Sequence, residues 1–430
     1  MNNIITPFNM ILRLIYPRWT RLEGQNTFIL PPLGPTAFAA ALPGDITIDF
    51  IDENLEPVNF DDPCDLVGIS MMLTAQVKRG WEIADEYRGR GKKVIFGGIS
   101  TMLHAQETIP HADSVFLGEV EGRMEEVIGD FLRGELKQVY NYLPHPPDTA
   151  LIGPARRDIL HEDLYYHKGI RMVDLFHASR GCRFACYPCA ASFLGGRRFR
   201  PRPFDKVAEE LDAIKNNRLF IVDNSLAQDK EWEKELFRMM IPFKKNWCSH
   251  TIDDDPEILD LAAQAGAWYV YQAVIDDSDY IRKRIQRYHD FGIAVEATVL
   301  LGMDDQTEDD ILRLIDFLQE VNLDLAEFTV LTPFRHTKVW DDMERDGRII
   351  DRDWSNYNAG KVVFKPRHMS PDRLQELYHY AWEKFYEHEN QEQKMFKMIM
   401  KVIERERKQG TYQPPRKDLA RMSFGQIIDR

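Results

Sequence analysis

The chain has few cysteines, no long apolar run and no excess of positive charge. The chain has five cysteines in 430 residues. This number is small and odd, so the cysteines do not indicate the disulfide framework of a secreted protein. The sequence has no apolar run of the roughly 18 residues that a membrane span needs, and its N-terminal segment lacks the basic and apolar regions of a signal peptide. The net charge of −14 gives no reason to expect a nucleic acid partner, because phosphate binding requires clustered Lys and Arg. We therefore expect a cytoplasmic protein without a membrane span.

Residues 1–145 alternate between short apolar strand patterns and amphipathic helix patterns. This alternation is typical of an α/β fold with a parallel sheet, and it predicts a Rossmann-like domain. In such sheets ligands bind at the carboxyl ends of the strands. Ser70, Gly97, Gly98, Gly118 and Glu119 follow the predicted strands at these ends.

The rest of the chain divides into three parts. Residues 146–175 are rich in proline and are interpreted as a linker. Residues 176–340 contain a second strand–helix series with six strand candidates. That is too short for an eight-unit barrel, which takes about 250 residues, but it fits a partial (β/α)6 TIM barrel. Residues 341–430 are charged and helical and are expected to form a C-terminal helical domain.

Three of the five cysteines lie in one short segment after a predicted strand. Cys182, Cys186 and Cys189 have the spacing C-x3-C-x2-C, and thiolates are the usual protein ligands of iron–sulfur clusters. Three ligands to a 4Fe-4S cluster leave one iron open, and that iron can chelate the amino and carboxyl groups of S-adenosylmethionine (SAM). A zinc site is the alternative, but it needs a fourth ligand and usually a second cysteine pair, which the sequence does not contain.

The order of the motifs resembles that of the cobalamin-binding-domain radical SAM enzymes, the class B radical SAM methyltransferase family. The resemblance covers nearly the whole chain. In the first half it is carried by PPLGP at 31–35, DEN at 52–54, DLVGIS at 65–70, GG at 97–98 and LGE at 117–119. In the second half it is carried by the cysteine motif, IVDN at 221–224 and LTPF at 331–334.

The resemblance implies that the three cysteines bind the 4Fe-4S cluster and that nearby residues bind SAM. The expected SAM-binding residues are Tyr187, Asp223, Asn224, Gln272, Glu296, Thr298 and Gly302. Three departures from the family pattern affect this assignment. Pro188 stands where an aromatic residue usually precedes the third cysteine, the fourth strand lacks the usual ribose-binding carboxylate, and the Pro-Gly-Thr after the sixth strand is replaced. That last change makes Arg335 and His336 candidates for substrate contact.

For cobalamin, the resemblance implies a pocket over the strand ends of the first domain. The expected residues are Ser70, Met71, Met72, Leu73, Thr74, Gly97, Gly98, Ile99, Ser100, Gly118, Glu119 and Glu121. Glycines there allow a bulky ring to approach the backbone closely. The Asp-x-His-x-x-Gly motif is absent, so no histidine ligand to cobalt is expected from it.

The family implies methylation of an unactivated sp3 carbon. A 5′-deoxyadenosyl radical from one SAM removes hydrogen from that carbon, methylcobalamin supplies the methyl group, and a second SAM remethylates the reduced cobalt. Expected partners are an electron donor such as flavodoxin or ferredoxin and a substrate. The substrate is either a protein or peptide, for example a glutamine side chain, or a small molecule such as a hopanoid, another lipid or a tetrapyrrole. The alternatives are a cobalamin-binding radical SAM enzyme that catalyses a rearrangement, cyclisation or oxidation without methylation, and a binding module with a vestigial cluster.

Overall fold

A computed structural model describes residues 10–20, 30–44 and 46–419. It contains two six-stranded parallel sheets, so the α/β class expected from the sequence is confirmed. No helix of the described ranges is long and apolar enough to cross a membrane.

The first sheet and its helices form what we call the N-terminal lobe. Its strands run in the order β2-β1-β3-β4-β5-β6 and are all parallel. They are β1 (Ile11–Tyr16), β2 (Thr47–Asp52), β3 (Leu66–Ser70), β4 (Lys93–Gly97), β5 (Ser114–Leu117) and β6 (Val139–Asn141). The helices are α1 (Leu33–Ala40), α2 (Val77–Gly89), α3 (Ile99–Leu103), α4 (Ala105–Thr108) and α5 (Met124–Arg133). The strand order reverses between β1 and β3, and at such a point a doubly wound sheet opens a crevice for ligands.

The second sheet forms the barrel lobe. Its strands run in the order β9-β12-β13-β14-β15-β16. The strands after β6 are β7 (Tyr166–His167), β8 (Ile170–Arg171), β9 (Asp174–Phe176), β10 (Ser179–Arg180), β11 (Arg200–Pro201), β12 (Arg218–Ile221), β13 (Asn246–Ser249), β14 (Ala267–Val274), β15 (Ala294–Leu301) and β16 (Leu325–Val330). The remaining helices are α6 (Ala191–Leu194), α7 (Phe204–Ala213), α8 (Lys230–Met240), α9 (Pro256–Ala265), α10 (Asp279–Asp290), α11 (Glu308–Glu320), α12 (Lys338–Arg345), α13 (Pro371–Phe385) and α14 (Gln391–Gln409).

Side-chain caps fix the starts of the barrel-lobe helices. Asp229, Asp255 and Ser278 accept hydrogen bonds from the first backbone amides of α8, α9 and α10. Asn390 and Gln393 form a reciprocal capping box at the start of α14. Such caps satisfy amides that have no partner inside the helix, so they set where each helix begins relative to the preceding strand.

The C-terminal part of the chain joins both lobes. Trp354, Tyr357 and Val363 pack with Val67 and Phe96 in the core of the N-terminal lobe. Helix α13 contributes Leu374, Leu377, Tyr378, Ala381 and Phe385 to the core of the barrel lobe. Helix α14 is held there by a buried pair in which Glu406 accepts two hydrogen bonds from Arg218, at 2.8 and 2.9 Å. Residues after 340 are thus shared between the cores of the two lobes; the domain bounds given above stay a prediction.

Candidate functional site

The two sheets face each other across a cavity of about 820 Å³. Tyr16, Ser70 and Gly97 line it from the strand ends of the N-terminal lobe, and Asp223 and Tyr271 line it from the barrel lobe. Its volume is near the upper end of the usual range for small-molecule sites, about 300–1,000 Å³. The carboxyl edges of both sheets therefore open into one shared space.

Nine of the twelve residues predicted to bind cobalamin line this cavity. They are Ser70, Met71, Met72, Gly97, Gly98, Ile99, Gly118, Glu119 and Glu121. The other three, Leu73, Thr74 and Ser100, are not among the lining residues. The Ser100 hydroxyl donates a 3.0 Å hydrogen bond to the carbonyl of Met72 and so stabilises the backbone after β3.

At Gly97 the N-terminal lobe has an open surface towards the cavity. A Cβ built on Gly97 would meet no atom within 4 Å, so bare backbone faces the cavity at this strand end. Met72 is 48% exposed, whereas its neighbour Met71 is fully buried in the lobe core. The apolar side chains of Leu33, Phe38, Ile99 and others complete the wall, and this surface fits a bulky, largely apolar ring.

The cysteines lie on a loop closed by two short strands. Ser179 and Arg180 in β10 pair antiparallel with Pro201 and Arg200 in β11, and the loop between them carries the motif. Cys182 is buried, whereas Cys186 and Cys189 are exposed. Burial raises the pKa of the Cys182 thiol, and Cys189 and Cys186 add to the shift.

The donor set of this loop fits a cluster with three protein thiolates. The amide of Ala191 donates to the sulfur of Cys189 at 3.4 Å, a contact that stabilises a thiolate. Among the described residues, no group of three or more His, Cys, Asp or Glu side chains, these cysteines included, is arranged to hold a metal ion. The assignment of the cysteines to an iron–sulfur cluster stays a prediction.

A buried glutamine that the sequence analysis missed braces the loop. Gln228 is fully buried, and its side-chain oxygen accepts a 2.9 Å hydrogen bond from the amide of Arg183. Its side-chain nitrogen donates to the carbonyl of Ser225 at 2.9 Å and to that of Gly181 at 3.3 Å. Gln228 lies in a loop 46 positions from Cys182, so no local sequence signal links the two.

Of the residues predicted to bind SAM, only Asp223, Asn224 and Glu296 line the cavity. Asp223 accepts hydrogen bonds from the Ala178 amide, at 2.8 Å, and from the Ser179 hydroxyl. Burial raises the pKa of its carboxyl to about 6. Both carboxylate oxygens thus fix the position of the segment that leads into the cysteine loop. The contact of Asp223 with SAM stays a prediction.

The remaining residues predicted to bind SAM do not line the cavity. The Gln272 side chain is buried and donates to the carbonyl of Ala273 at 2.8 Å. Gly302 lies against Leu374 and Phe364, away from the cavity. Tyr187 and Thr298 are not among the lining residues either, so their contact with SAM stays a prediction.

Arg335 and His336, the candidates for substrate contact, lie outside the cavity. The Arg335 guanidinium donates to Glu107 of α4 at 3.0 Å and lies about 5 Å from the ring centres of Trp340 and Trp354. The His336 ring stacks on Phe193 with centroids 4.4 Å apart. In this arrangement Arg335 joins the two lobes, and its role towards substrate stays a prediction.

A network of ion pairs crosses between the lobes at the cavity wall. Arg180 donates to Glu121 at 2.7 and 2.9 Å and to Glu119 at 2.8 Å. Arg200 also pairs with Glu119. The two arginines lower the pKa of Glu119, against the opposing effect of burial. Two carboxylates predicted to contact cobalamin are therefore engaged by the strands that carry the cysteine loop.

His177 joins the same network as a neutral ring. Its Nε2 accepts a 3.0 Å hydrogen bond from Nε of Arg180, so the ring proton is on Nδ1. Burial, together with four nearby arginines, holds its pKa well below the usual range. His177 lines the cavity and was not singled out from the sequence, because a lone histidine after a strand carries no signal.

Comparison with known proteins identifies relatives along most of the chain. It is 25% identical over 73% of its length to bacteriochlorophyllide d C-12(1)-methyltransferase of Chlorobaculum tepidum, of which the match covers 72%. It is 23% identical over 79% of its length to hopanoid C-2 methylase of Rhodopseudomonas palustris, with 71% of that protein covered. Residues 337–428 match a family model described as a domain of unknown function (DUF4070).

The same fold occurs in a solved structure of the radical SAM methyltransferase TsrM from Kitasatospora setae, which holds tryptophan and the SAM analogue aza-SAM. The TM-score is 0.66 with 14% identity, over 88% of this chain and 89% of that one. A second TsrM structure holds cobalamin and a [4Fe-4S] cluster, with a TM-score of 0.62, 14% identity and coverage of 88% of this chain and 91% of that one. The names of the curated relatives agree with the resemblance read from the sequence, and the two TsrM structures show that this chain shares their fold.

Proposed function

We propose that this chain, a relative of the class B radical SAM methyltransferases, is itself a cobalamin-dependent radical SAM C-methyltransferase. The observation that supports this most directly is the shared cavity. Residues assigned to cobalamin and residues assigned to SAM line one space although they belong to different lobes. The reaction requires this arrangement, because both cofactors must meet one carbon of the substrate.

In this proposal, different residues of the chain hold the cluster, position its loop and bind cobalamin. Cys182, Cys186 and Cys189 hold the cluster, and Asp223 and Gln228 hold the loop on which they lie. The strand ends around Gly97 and Met72 cradle the corrin ring. When bound, the cluster with SAM supplies a 5′-deoxyadenosyl radical, and methylcobalamin supplies the methyl group.

The acceptor is an unactivated sp3 carbon. Both a protein side chain such as glutamine and a small molecule with an apolar skeleton match the mixed apolar and polar lining of the cavity. An electron donor such as flavodoxin or ferredoxin is part of the proposal, since cleavage of SAM consumes an electron.

The test is anaerobic purification and reconstitution with iron, sulfide and hydroxocobalamin. We expect a bound corrinoid in the visible spectrum, 5′-deoxyadenosine after reduction with SAM present, and transfer of label from methyl-labelled SAM to the bound cobalamin. Failure to bind a corrinoid overturns the cobalamin assignment. 5′-Deoxyadenosine without methylated cobalamin overturns methylation in favour of a rearrangement or oxidation.

Cysteine variants separate the two cofactor sites. Cys186→Ala is expected to bind cobalamin normally and to form no 5′-deoxyadenosine. Cys64→Ala is the matched control, because Cys64 is buried in the core of the N-terminal lobe, away from the loop, and we expect it to retain both properties. Equal 5′-deoxyadenosine formation by the two variants would contradict the role given to the motif.

A further inference from the structure

One carboxylate in the cavity has an unused oxygen. Glu296 lies in β15, in register with Tyr271 of β14, and lines the cavity. Its side chain is only 4% exposed, and its Oε2 atom accepts no hydrogen bond from the described residues. A buried polar atom without a partner costs free energy, so this oxygen points to a ligand that supplies a donor.

A second carboxylate lies on the next strand. Glu327 of β16 is paired in register with Thr298, two positions after Glu296, and lines the same cavity. Burial raises the pKa of Glu296 to about 8, and the charge of Glu327 raises it further, whereas a hydrogen bond from Tyr271 lowers it. Among the described residues, no cationic side chain contributes to the pKa shift of Glu296.

The C-terminal helices also contribute to this part of the cavity, and the Trp382 ring lies beside β16, with its centre 5.6 Å from that of Phe328. Trp382 of α13 and Gln391 of α14 line the cavity. The indole N–H of Trp382 is buried and has no acceptor among the described residues. This end of the cavity therefore presents two acidic groups and one unused donor, and its wall comes from the part of the chain that matches the domain of unknown function.

We propose that this end of the cavity binds a cationic nitrogen group of the methyl acceptor, with the Glu296 carboxylate accepting hydrogen bonds from an ammonium or guanidinium. The Trp382 indole N–H donates to a neighbouring carbonyl of the same acceptor. A charged donor matches the site because carboxylate–cation hydrogen bonds are about twice as strong as neutral ones, and the cation neutralises an otherwise uncompensated buried acid.

The substrate class that follows is an amine-bearing or guanidine-bearing molecule, including a peptide with lysine or arginine. This inference rests on the proposed function, because only a methyltransferase would have a methyl acceptor as the ligand at this site. SAM also carries a cationic ammonium and a sulfonium, and the sequence resemblance assigned Glu296 to SAM. The experiment must therefore separate the two sources of positive charge.

The probes are N-acetyl-lysine methylamide and N-acetyl-norleucine methylamide, which share the aliphatic chain and differ in the ammonium. Their dissociation constants, and that of SAM, are measured by ligand-observed NMR and calorimetry on the reconstituted holoprotein. We expect the lysine probe to bind more tightly than the norleucine probe. We expect Glu296→Gln to weaken the lysine probe about tenfold or more, the effect of losing a hydrogen bond to a charged group, and to change the affinity for SAM less than about twofold.

Two further variants keep the result interpretable. Glu320→Gln removes an exposed carboxylate paired with Arg282 and is expected to bind all probes as the wild type does. Trp382→Phe keeps an aromatic ring without the donor and is expected to weaken both amide probes equally. Equal affinity of the two probes, or loss of SAM affinity alone in Glu296→Gln, overturns the proposal. Absence of 5′-deoxyadenosine from a wild type that still selects the lysine probe would overturn the proposed function and leave the cationic subsite standing.

Discussion

At the scale of single residues, the cysteine loop depends on one glycine. Gly181 has φ of +74°, and a Cβ there would overlap the carbonyl oxygen of Arg198 and lie 2.9 Å from that of Gly195. Gly196, in the same loop, has φ of +73°, but a Cβ there would meet nothing within 4 Å. Substitutions at Gly181 and Gly196 therefore differ in one respect. Both cost the strain of a positive φ, but only a side chain at Gly181 also overlaps the backbone.

Gly181→Ala is expected to lower iron and sulfide content per chain after anaerobic reconstitution. Both Gly181→Ala and Gly196→Ala carry the strain of positive φ, about 1–2 kcal/mol, but only the first displaces the loop beside Cys182. Gly196→Ala should therefore load its cluster close to the wild-type level. Equal iron contents in the two variants would contradict this view of the loop.

At the scale of elements, helix α8 carries a buried acid outside the cavity. Glu233 is fully buried and accepts a 3.1 Å hydrogen bond from the amide of Asp253, while its Oε2 atom has no partner among the described residues. Burial raises the pKa of its carboxyl from its usual 4.5 to about 8; the charge of Asp253 adds to the rise, and Lys230 and Arg284 oppose it.

Since this pKa is higher in the folded state than in the unfolded chain, the folded protein binds the proton more tightly. The contribution of Glu233 to stability is therefore complete below pH 4.5 and is lost as the pH rises to about 8. We expect Glu233→Gln to raise the midpoint of urea unfolding at pH 8 and to change it little at pH 5. Glu231→Gln, on the exposed side of the same helix, should show no such pH-dependent gain; a matching gain would refute the assignment.

At the scale of the whole molecule, the two lobes are joined by charge as well as by packing. Arg180 and Arg200 hold Glu119 and Glu121 at the cavity wall. Arg335 pairs with Glu107 of α4 in the N-terminal lobe. Because Arg180 directly precedes Gly181 and Cys182, this network ties the position of the cysteine loop to that of the N-terminal lobe.

Glu121→Gln is expected to loosen this connection, since removing one partner of a buried ion pair costs on the order of 3 kcal/mol. We expect faster hydrogen exchange in residues 177–181 and, in the proposed reaction, more 5′-deoxyadenosine per methyl group transferred, because the cysteine loop is held less firmly against the N-terminal lobe. Glu125→Gln, on the exposed surface of α5, is the control. Unchanged exchange and coupling in Glu121→Gln would show that the ion pair does not position the loop.

The sequence by itself determined the features that depend on neighbours along the chain. The C-x3-C-x2-C spacing indicated the cluster, and the alternation of strands and helices predicted the α/β class that the two parallel sheets confirm. The central strand β1 was not predicted, because its run at 11–16 lacks the strand–turn–helix context of the others; its place between β2 and β3 is set by pairing.

Only the tertiary structure decided which distant residues meet. Glu107 and Arg335 are 228 positions apart, and Glu119 and Arg200 are 81 apart. The sequence resemblance implied that Glu296 binds SAM, but its place near Glu327 arises from the register of β15 with β16. Spacing along a chain fixes which face of an element a residue occupies, but the packing of whole elements decides what that face meets.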